Sequence, residues 1–221
     1  MENKNNENKE IKVILLGDCG VGKTNIISRY LYNEFRDVEA STMGSYYATK
    51  ELKINDKKVL LNIWDTAGQE KYLSVTKMLI QESKIIILCY SITDEDSFQN
   101  LNHWLKSAAD IIGNDFILGI LANKKDLYEN EKVSEDRGRQ YATEHEGIFK
   151  LTSAKIDKEG IDEYFNILVK KYLSAEGDSL NTSKNTVLKV DELIKNLIDK
   201  GIQFFKLFFY LSFFKIGLII K

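Results

Sequence analysis

Proline is absent from all 221 residues, and cysteine occurs only twice, at Cys19 and Cys89. The spacing of the two cysteines matches no metal site, and so low a cysteine content favours a reducing cytosol. No charge sign dominates either, because 31 Lys and Arg residues stand against 33 Asp and Glu residues, a formal net charge of −2. This balance argues against nucleic acid as a partner.

The ends of the chain differ in composition from its middle. Residues 1–9 are polar and lack the apolar run of a signal peptide, which predicts a disordered arm. Residues 10–173 have the length and patterning of one domain. They are followed by a predicted polar linker at 174–186 and a predicted helical, hydrophobic tail at 187–221.

Short apolar runs alternate with helix-like segments through the middle of the chain. The predicted strands are Ile11–Leu16, Tyr46–Ile54, Lys58–Trp64, Lys84–Tyr90, Phe116–Ala122 and Ile148–Leu151. The predicted helices are Lys23–Tyr32, Gln69–Gln81, Glu95–Ile112, Glu135–Glu146 and Gly160–Leu173. This alternation predicts an α/β fold: a six-stranded, mostly parallel, doubly wound sheet flanked by five helices, with ligands at the carboxyl ends of the strands.

The segment Gly17–Thr24, GDCGVGKT, follows the first predicted strand and fits the phosphate-binding pattern G-x-x-x-x-G-K-[ST]. Its glycines allow the backbone N–H groups to turn inward around an anion, at the positive end of the next helix. Lys23 is predicted to pair with the β- and γ-phosphates, and Thr24 to bind Mg²⁺. The predicted phosphate-binding residues are Gly17, Asp18, Cys19, Gly20, Val21, Gly22, Lys23 and Thr24.

A second motif, WDTAGQE at Trp64–Glu70, stands at the end of the third predicted strand. Asp65 is placed to hold the Mg²⁺ shell, and Gly68 to bring a backbone N–H to the γ-phosphate. Gln69 is placed to orient an attacking water. Following a phosphate-binding loop, this motif predicts a nucleoside triphosphatase rather than an ordinary acidic turn.

Two further motifs predict that the base is guanine. In NKKD, Asn123–Asp126, the carboxylate can accept hydrogen bonds from guanine N1–H and its 2-amino group, a donor pair that adenine lacks. Lys124 can lie along the base and ribose. Ser153, Ala154 and Lys155 end the last predicted strand, where the Ala154 backbone N–H can reach guanine O6.

With these motifs in order, residues Ile11–Leu173 resemble the Ras-like small GTPases, and the Rab branch most closely. The resemblance implies GTP/GDP and Mg²⁺ as ligands, and it implies that Thr42 closes on Mg²⁺ and the γ-phosphate. It also implies that Phe35 covers the guanine face. The implied metal ligands are Thr24, Thr42 and Asp65, and the implied catalytic residues are Gln69, Lys23 and Thr42.

The resemblance implies a switch in vesicle trafficking that works with an exchange factor, a GTPase-activating protein and GTP-state effectors. It also implies a cytoplasmic protein that cycles to, or is attached to, the cytosolic face of an endomembrane. Arg36 lies six residues before Thr42, which does not match an in-cis arginine finger, so slow intrinsic hydrolysis is predicted. Residues 43–47 (MGSYY) and 77–83 (KMLIQES) depart from the Rab pattern, so the identity of partners does not carry over.

Two other functions fit part of the pattern. A binding module locked with GTP, from a non-Rab Ras-like branch, would not need Gln69 and Gly68, which are both present. A P-loop kinase or ATPase would not need the NKKD motif.

The last 19 residues before Lys221, Ile202–Ile220, include 14 strongly apolar ones, interrupted by Lys206 and Lys215 among others. As a helix they would span about 28 Å, near one hydrocarbon thickness. No cysteine follows the globular domain, so a prenyl anchor is not predicted. Three interpretations stay open: a membrane-contacting segment in place of a lipid, apolar sequence packed on the domain or a partner, and translated non-coding sequence.

Overall fold

The structure is a computed structural model, and it describes residues 9–37, 45–54, 57–66 and 73–176. The strands are β1 (Lys9–Leu16), β2 (Ser45–Ile54), β3 (Lys57–Thr66), β4 (Ile85–Ser91), β5 (Ile117–Asn123) and β6 (Ile148–Leu151). The helices are α1 (Lys23–Tyr32), α2 (Leu73–Ile80), α3 (Glu95–Gln99), α4 (Leu101–Ile112), α5 (Glu135–Glu144) and α6 (158–176). A 3₁₀-helix follows β5 at Lys125–Asn130.

The six strands form one sheet in the order β2-β3-β1-β4-β5-β6. Every neighbouring pair is parallel except β2 and β3, which pair antiparallel from Ser45↔Thr66 to Ile54↔Lys57. This arrangement confirms the predicted doubly wound α/β fold. It places the carboxyl ends of β1, β3, β4, β5 and β6 at one edge of the sheet, where such folds bind ligands.

The core lies on both faces of the sheet because side chains alternate along each buried strand. In β1, Ile11, Val13 and Leu15 pack on the face that α1 and α6 cover, whereas Ile14 and Leu16 pack on the opposite face. All of β4 is buried, in agreement with its continuous apolar sequence. The central strands are therefore buried on both faces.

The predicted elements agree with the structure to within a few residues, with one difference in the helices. The single helix predicted at Glu95–Ile112 is divided at Asn100 into α3 and α4. The side chains of Asp94 and Ser134 accept from backbone N–H groups in the first turns of α3 and α5 and so cap these helices. Residues 69–72 of the second predicted helix and residues 55–56, between β2 and β3, lie outside the described residues.

In the part of the chain that the structure describes, no helix combines the length and hydropathy needed to cross a membrane. Residues 1–8 of the arm predicted at 1–9 lie outside the described residues, whereas Lys9 is the first residue of β1. The stretch 177–221 also lies outside the described residues. This stretch holds most of the predicted linker and all of the predicted tail.

Candidate functional site

The loop between β1 and α1 fits tightly against the neighbouring strands. Gly17 has φ +141°, and a Cβ added there would lie 2.1 Å from the backbone oxygen of Cys89 in β4. Gly22 has φ +98°, and its added Cβ would lie 2.4 Å from Nδ2 of Asn123. Both positions therefore require glycine, for backbone conformation and for space. The motif's first and last glycines thus position the loop on β4 and β5.

Lys23 is a buried cation, and the groups that accept hydrogen bonds from it are neutral backbone carbonyls. Its side chain is 5% exposed, and Nζ donates to the backbone oxygens of Gly17 at 2.7 Å and Asp18 at 2.9 Å. Burial lowers the pKa of Lys23, and the nearby Cys89 and Asp65 raise it. None of the described residues forms an ion pair with this ammonium group. Such an environment favours the binding of an anion such as phosphate.

Two of the predicted metal ligands lie together. The Thr24 hydroxyl donates to Oδ2 of Asp65 at 2.6 Å, although 41 residues separate them in sequence. Asp65 is fully buried at the end of β3. This pair lines a cavity of about 420 Å³, whose other walls are formed by further residues of α1 and by Glu34, Arg36 and Tyr46.

Asn123 joins the phosphate-binding loop to the loop after β6. Its Nδ2 donates to the backbone oxygen of Val21 at 2.8 Å, and its Oδ1 accepts from the backbone N–H of Ala154 at 3.0 Å. The side chain is 2% exposed. Three of the predicted motifs are thus held in fixed relation by one buried amide.

The predicted guanine-binding residues lie around the same loop. Oδ1 of Asp126 accepts from the Ser153 hydroxyl, whose oxygen also accepts from the Lys155 backbone N–H at 3.1 Å. Lys124 has φ +69°, at the N-terminal boundary of the 3₁₀-helix. Nζ of Lys155 lies 5.7 Å from the centre of the half-buried Phe35 ring. The residues predicted to contact the base therefore share one end of the site.

Three predicted site residues, Thr42, Gly68 and Gln69, lie outside the described residues. Arg36 is described, and its side chain is 66% exposed and 3.9 Å from Glu34. This exposure agrees with the spacing of Arg36 in the sequence, which does not match an in-cis arginine finger.

Arg29 and the pair Asn100 and Trp104 also support the site, and sequence reasoning missed all three. Arg29 Nε donates to the Ala154 backbone oxygen at 2.7 Å, and its Nη2 donates to the Lys155 backbone oxygen at 2.8 Å. Asn100 and Trp104 donate to the Asp18 carboxylate. No sequence pattern identifies these contacts, since they join residues 82 to 126 positions apart.

Comparison with known proteins identifies the family. The sequence model of the Ras family matches residues 12–174. The Ras-related protein Rab-11B of Dictyostelium discoideum is 41% identical over 157 residues, 71% of each chain. The human Ras-related protein Rab-21 is 41% identical over 162 residues, 73% of this chain and 72% of the relative. The chain therefore belongs to the Ras family, as a Rab-like small GTPase that binds guanine nucleotide, hydrolyses GTP and acts as a molecular switch.

Proposed function

We propose that the nucleotide lies along the carboxyl edge of the sheet, with its phosphates on residues 17–24 and its base between Phe35, Lys124 and Asp126. The observation that carries this proposal is the buried Lys23 ammonium, which faces neutral carbonyl groups and would gain an anionic partner from the phosphates. Asn123 supports the same orientation because it holds the phosphate loop against the Ala154 loop.

Magnesium fits the oxygen atoms at the end of β3. A hydroxyl and a carboxylate are ligands that Mg²⁺ accepts, and Thr24 and Asp65 bring both within 2.6 Å of each other. We propose that these two residues and Thr42 hold the ion. When bound, the ion would supply positive charge against the β- and γ-phosphates.

In this proposal, different residues of the chain have different roles in GTP hydrolysis. Lys23 and the backbone N–H groups of the loop stabilise the charge that develops on the γ-phosphate. Gln69 positions the attacking water, and Gly68 contacts the γ-phosphate through its backbone. Thr42 and Gly68 lose these contacts after hydrolysis, and partners recognise the change.

Slow intrinsic hydrolysis is part of the proposal, because Arg36 is exposed and paired with Glu34 rather than placed beside Lys23. A GTPase-activating protein is proposed to supply the missing charge, an exchange factor to release GDP, and effectors to bind the GTP form.

The rate of single-turnover GTP hydrolysis tests this assignment. We expect the isolated full chain to hydrolyse GTP more slowly than about 10⁻² per second, the scale reached with an arginine in cis. Gln69→Ala should lower the rate by about 10- to 100-fold, because the water is no longer oriented. Gln81→Ala, in the turn after α2, is the matched control and should have no effect.

A fast isolated chain, or a Gln69→Ala variant as active as the wild type, would contradict the assignment. Absence of hydrolysis by the wild type would instead favour a GTP-locked binding module.

A role in vesicle trafficking follows from the likeness to Rab proteins, and we place the protein at the cytosolic face of an endomembrane on the same ground. Residues 202–220 supply the apolar surface for membrane contact in this proposal, because 14 of these residues are strongly apolar.

Cell fractionation tests the role of the tail. A chain ending at residue 186 keeps α6 complete and removes the apolar segment. We expect most of the full chain in the membrane fraction and most of the shortened chain in the supernatant, because only the full chain carries 14 strongly apolar residues in one segment. Equal distribution of the two proteins would contradict a membrane role for the tail.

A further inference from the structure

The Asp18 carboxylate, in the phosphate-binding loop, is held by two donors from outside that loop. Trp104 Nε1 donates to Oδ1 at 2.8 Å, and Asn100 Nδ2 donates to Oδ2 at 2.7 Å. Trp104 belongs to α4 and is only 3% exposed, whereas Asn100 is exposed between α3 and α4. Each carboxylate oxygen thus has its own donor, and both donors come from one stretch of chain.

The same residue also contacts the lysine of the site. The backbone oxygen of Asp18 accepts from Lys23 Nζ at 2.9 Å. A carboxylate in this loop would repel a bound di- or triphosphate unless it were held away from the anion and its charge stabilised.

The backbone oxygen of Asn100 accepts from the N–H groups of His103 and Trp104 at the start of α4. Asn100 stands at the N-cap of α4, yet its side chain makes no capping hydrogen bond there. Its amide donates to Asp18 instead. The predicted helix is divided into α3 and α4 at Asn100. This break allows the Asn100 side-chain amide to reach the phosphate-binding loop.

We propose that Asn100 and Trp104 are positioning residues for nucleotide binding: they hold the Asp18 carboxylate on the α3–α4 side of the loop and so keep its charge away from the phosphates. This inference rests on the phosphate-binding role proposed for residues 17–24. It explains how the loop can carry an acidic residue beside bound phosphates. It also gives Asn100 and Trp104, which lie outside the nucleotide motifs, an effect on phosphate affinity.

A double-mutant cycle with Asp18→Asn tests the proposal, because the amide keeps the shape of the side chain and removes the charge. The measurement is the dissociation constant of GDP for the full chain, in the wild-type and Asp18→Asn backgrounds. Trp104→Phe should weaken GDP binding about tenfold when Asp18 is charged, and less than twofold when residue 18 is neutral. Asn100→Ala should behave in the same way, with a loss of about threefold to fivefold.

The cycle distinguishes charge from packing. If Trp104 acted only through its buried ring, Trp104→Phe would weaken binding by the same factor in both backgrounds, and the proposal would be wrong. The proposal would also be wrong if Trp104→Phe and Asn100→Ala left the dissociation constant of GDP unchanged in both backgrounds. Asn100→Ala guards against a misfolded Trp104 variant, since truncating an exposed side chain leaves no cavity.

The wild-type measurement separates this inference from the function on which it rests. A wild-type chain that binds no guanine nucleotide would overturn the proposed function, and the inference with it. A wild-type chain that binds GDP, with equal loss factors in the two backgrounds, would overturn the inference alone.

Discussion

Replacement of Lys23 by methionine should weaken the binding of both GDP and GTP by about 30-fold to about 4,000-fold. Removing one partner of a buried, hydrogen-bonded charge pair costs about 2–5 kcal/mol, and each 1.4 kcal/mol is about tenfold in affinity. Methionine keeps the length of the stem in a side chain that is 5% exposed, so the change removes mainly the charge. Isothermal titration of the full chain with each nucleotide measures the loss.

Without nucleotide, Lys23→Met should not destabilise the protein. Burial lowers the pKa of Lys23, so below that pKa the buried ammonium opposes folding, and this cost is relieved as the pH rises. Lys23→Met should therefore leave the melting temperature of the nucleotide-free chain unchanged or raise it, while reducing the rise that GDP produces.

Lys106→Ala, an exposed lysine on α4, is the matched control and should keep both affinity and melting temperature. A Lys23→Met variant that binds GDP as tightly as this control would refute the role given to Lys23.

Replacement of Asp126 by asparagine should remove the preference for guanine. The carboxylate would accept from two guanine donors, and each buried group left unpaired costs about 1–3 kcal/mol, which predicts a loss of GDP affinity of about 30-fold to about 10⁴-fold. Asparagine can still accept from the Ser153 hydroxyl, so the loop contact that the structure records is retained. The effect should therefore appear in base selection rather than in stability.

Competition between nucleotides measures this change in base selection. Asparagine offers one acceptor and one donor, so the variant should gain affinity for a purine nucleotide that carries a carbonyl at C2. Glu129→Gln makes the same charge change at an exposed position of the same 3₁₀-helix and should keep guanine preference. If Asp126→Asn and Glu129→Gln bind GDP equally well, Asp126 does not select the base.

The fold could be predicted from the sequence because its signals are local. The continuous apolar runs of β1 and β4 predict strands buried on both faces, and both strands are buried in this way. The parallel arrangement then brings residues near Gly17, Asp65 and Asn123 to one edge, although 40 or more positions separate them in sequence. Motif order and topology together were enough to place the candidate site.

The hydrogen bonds that hold the loops of the site in place could not be predicted, because they come from side chains of distant elements. Arg29 looks like an ordinary polar residue of an amphipathic helix, yet it holds the backbone of residues 154 and 155. Asn100 looks like a helix-interior residue, yet it ends α3 and donates to Asp18. Only the packing of α1 and α4 against the sheet brings these donors to the loops, and hydrophobic periodicity does not encode such contacts.

The nucleotide that co-purifies with the full chain tests the central claim most directly. The protein should be purified without added nucleotide, denatured, and its released ligand separated by ion-exchange chromatography. The account predicts close to one equivalent of guanine nucleotide per chain, chiefly GDP, because the bound GTP is hydrolysed slowly during isolation. Adenine nucleotide at a similar level, or a chain that neither retains nor rebinds guanine nucleotide, would contradict it.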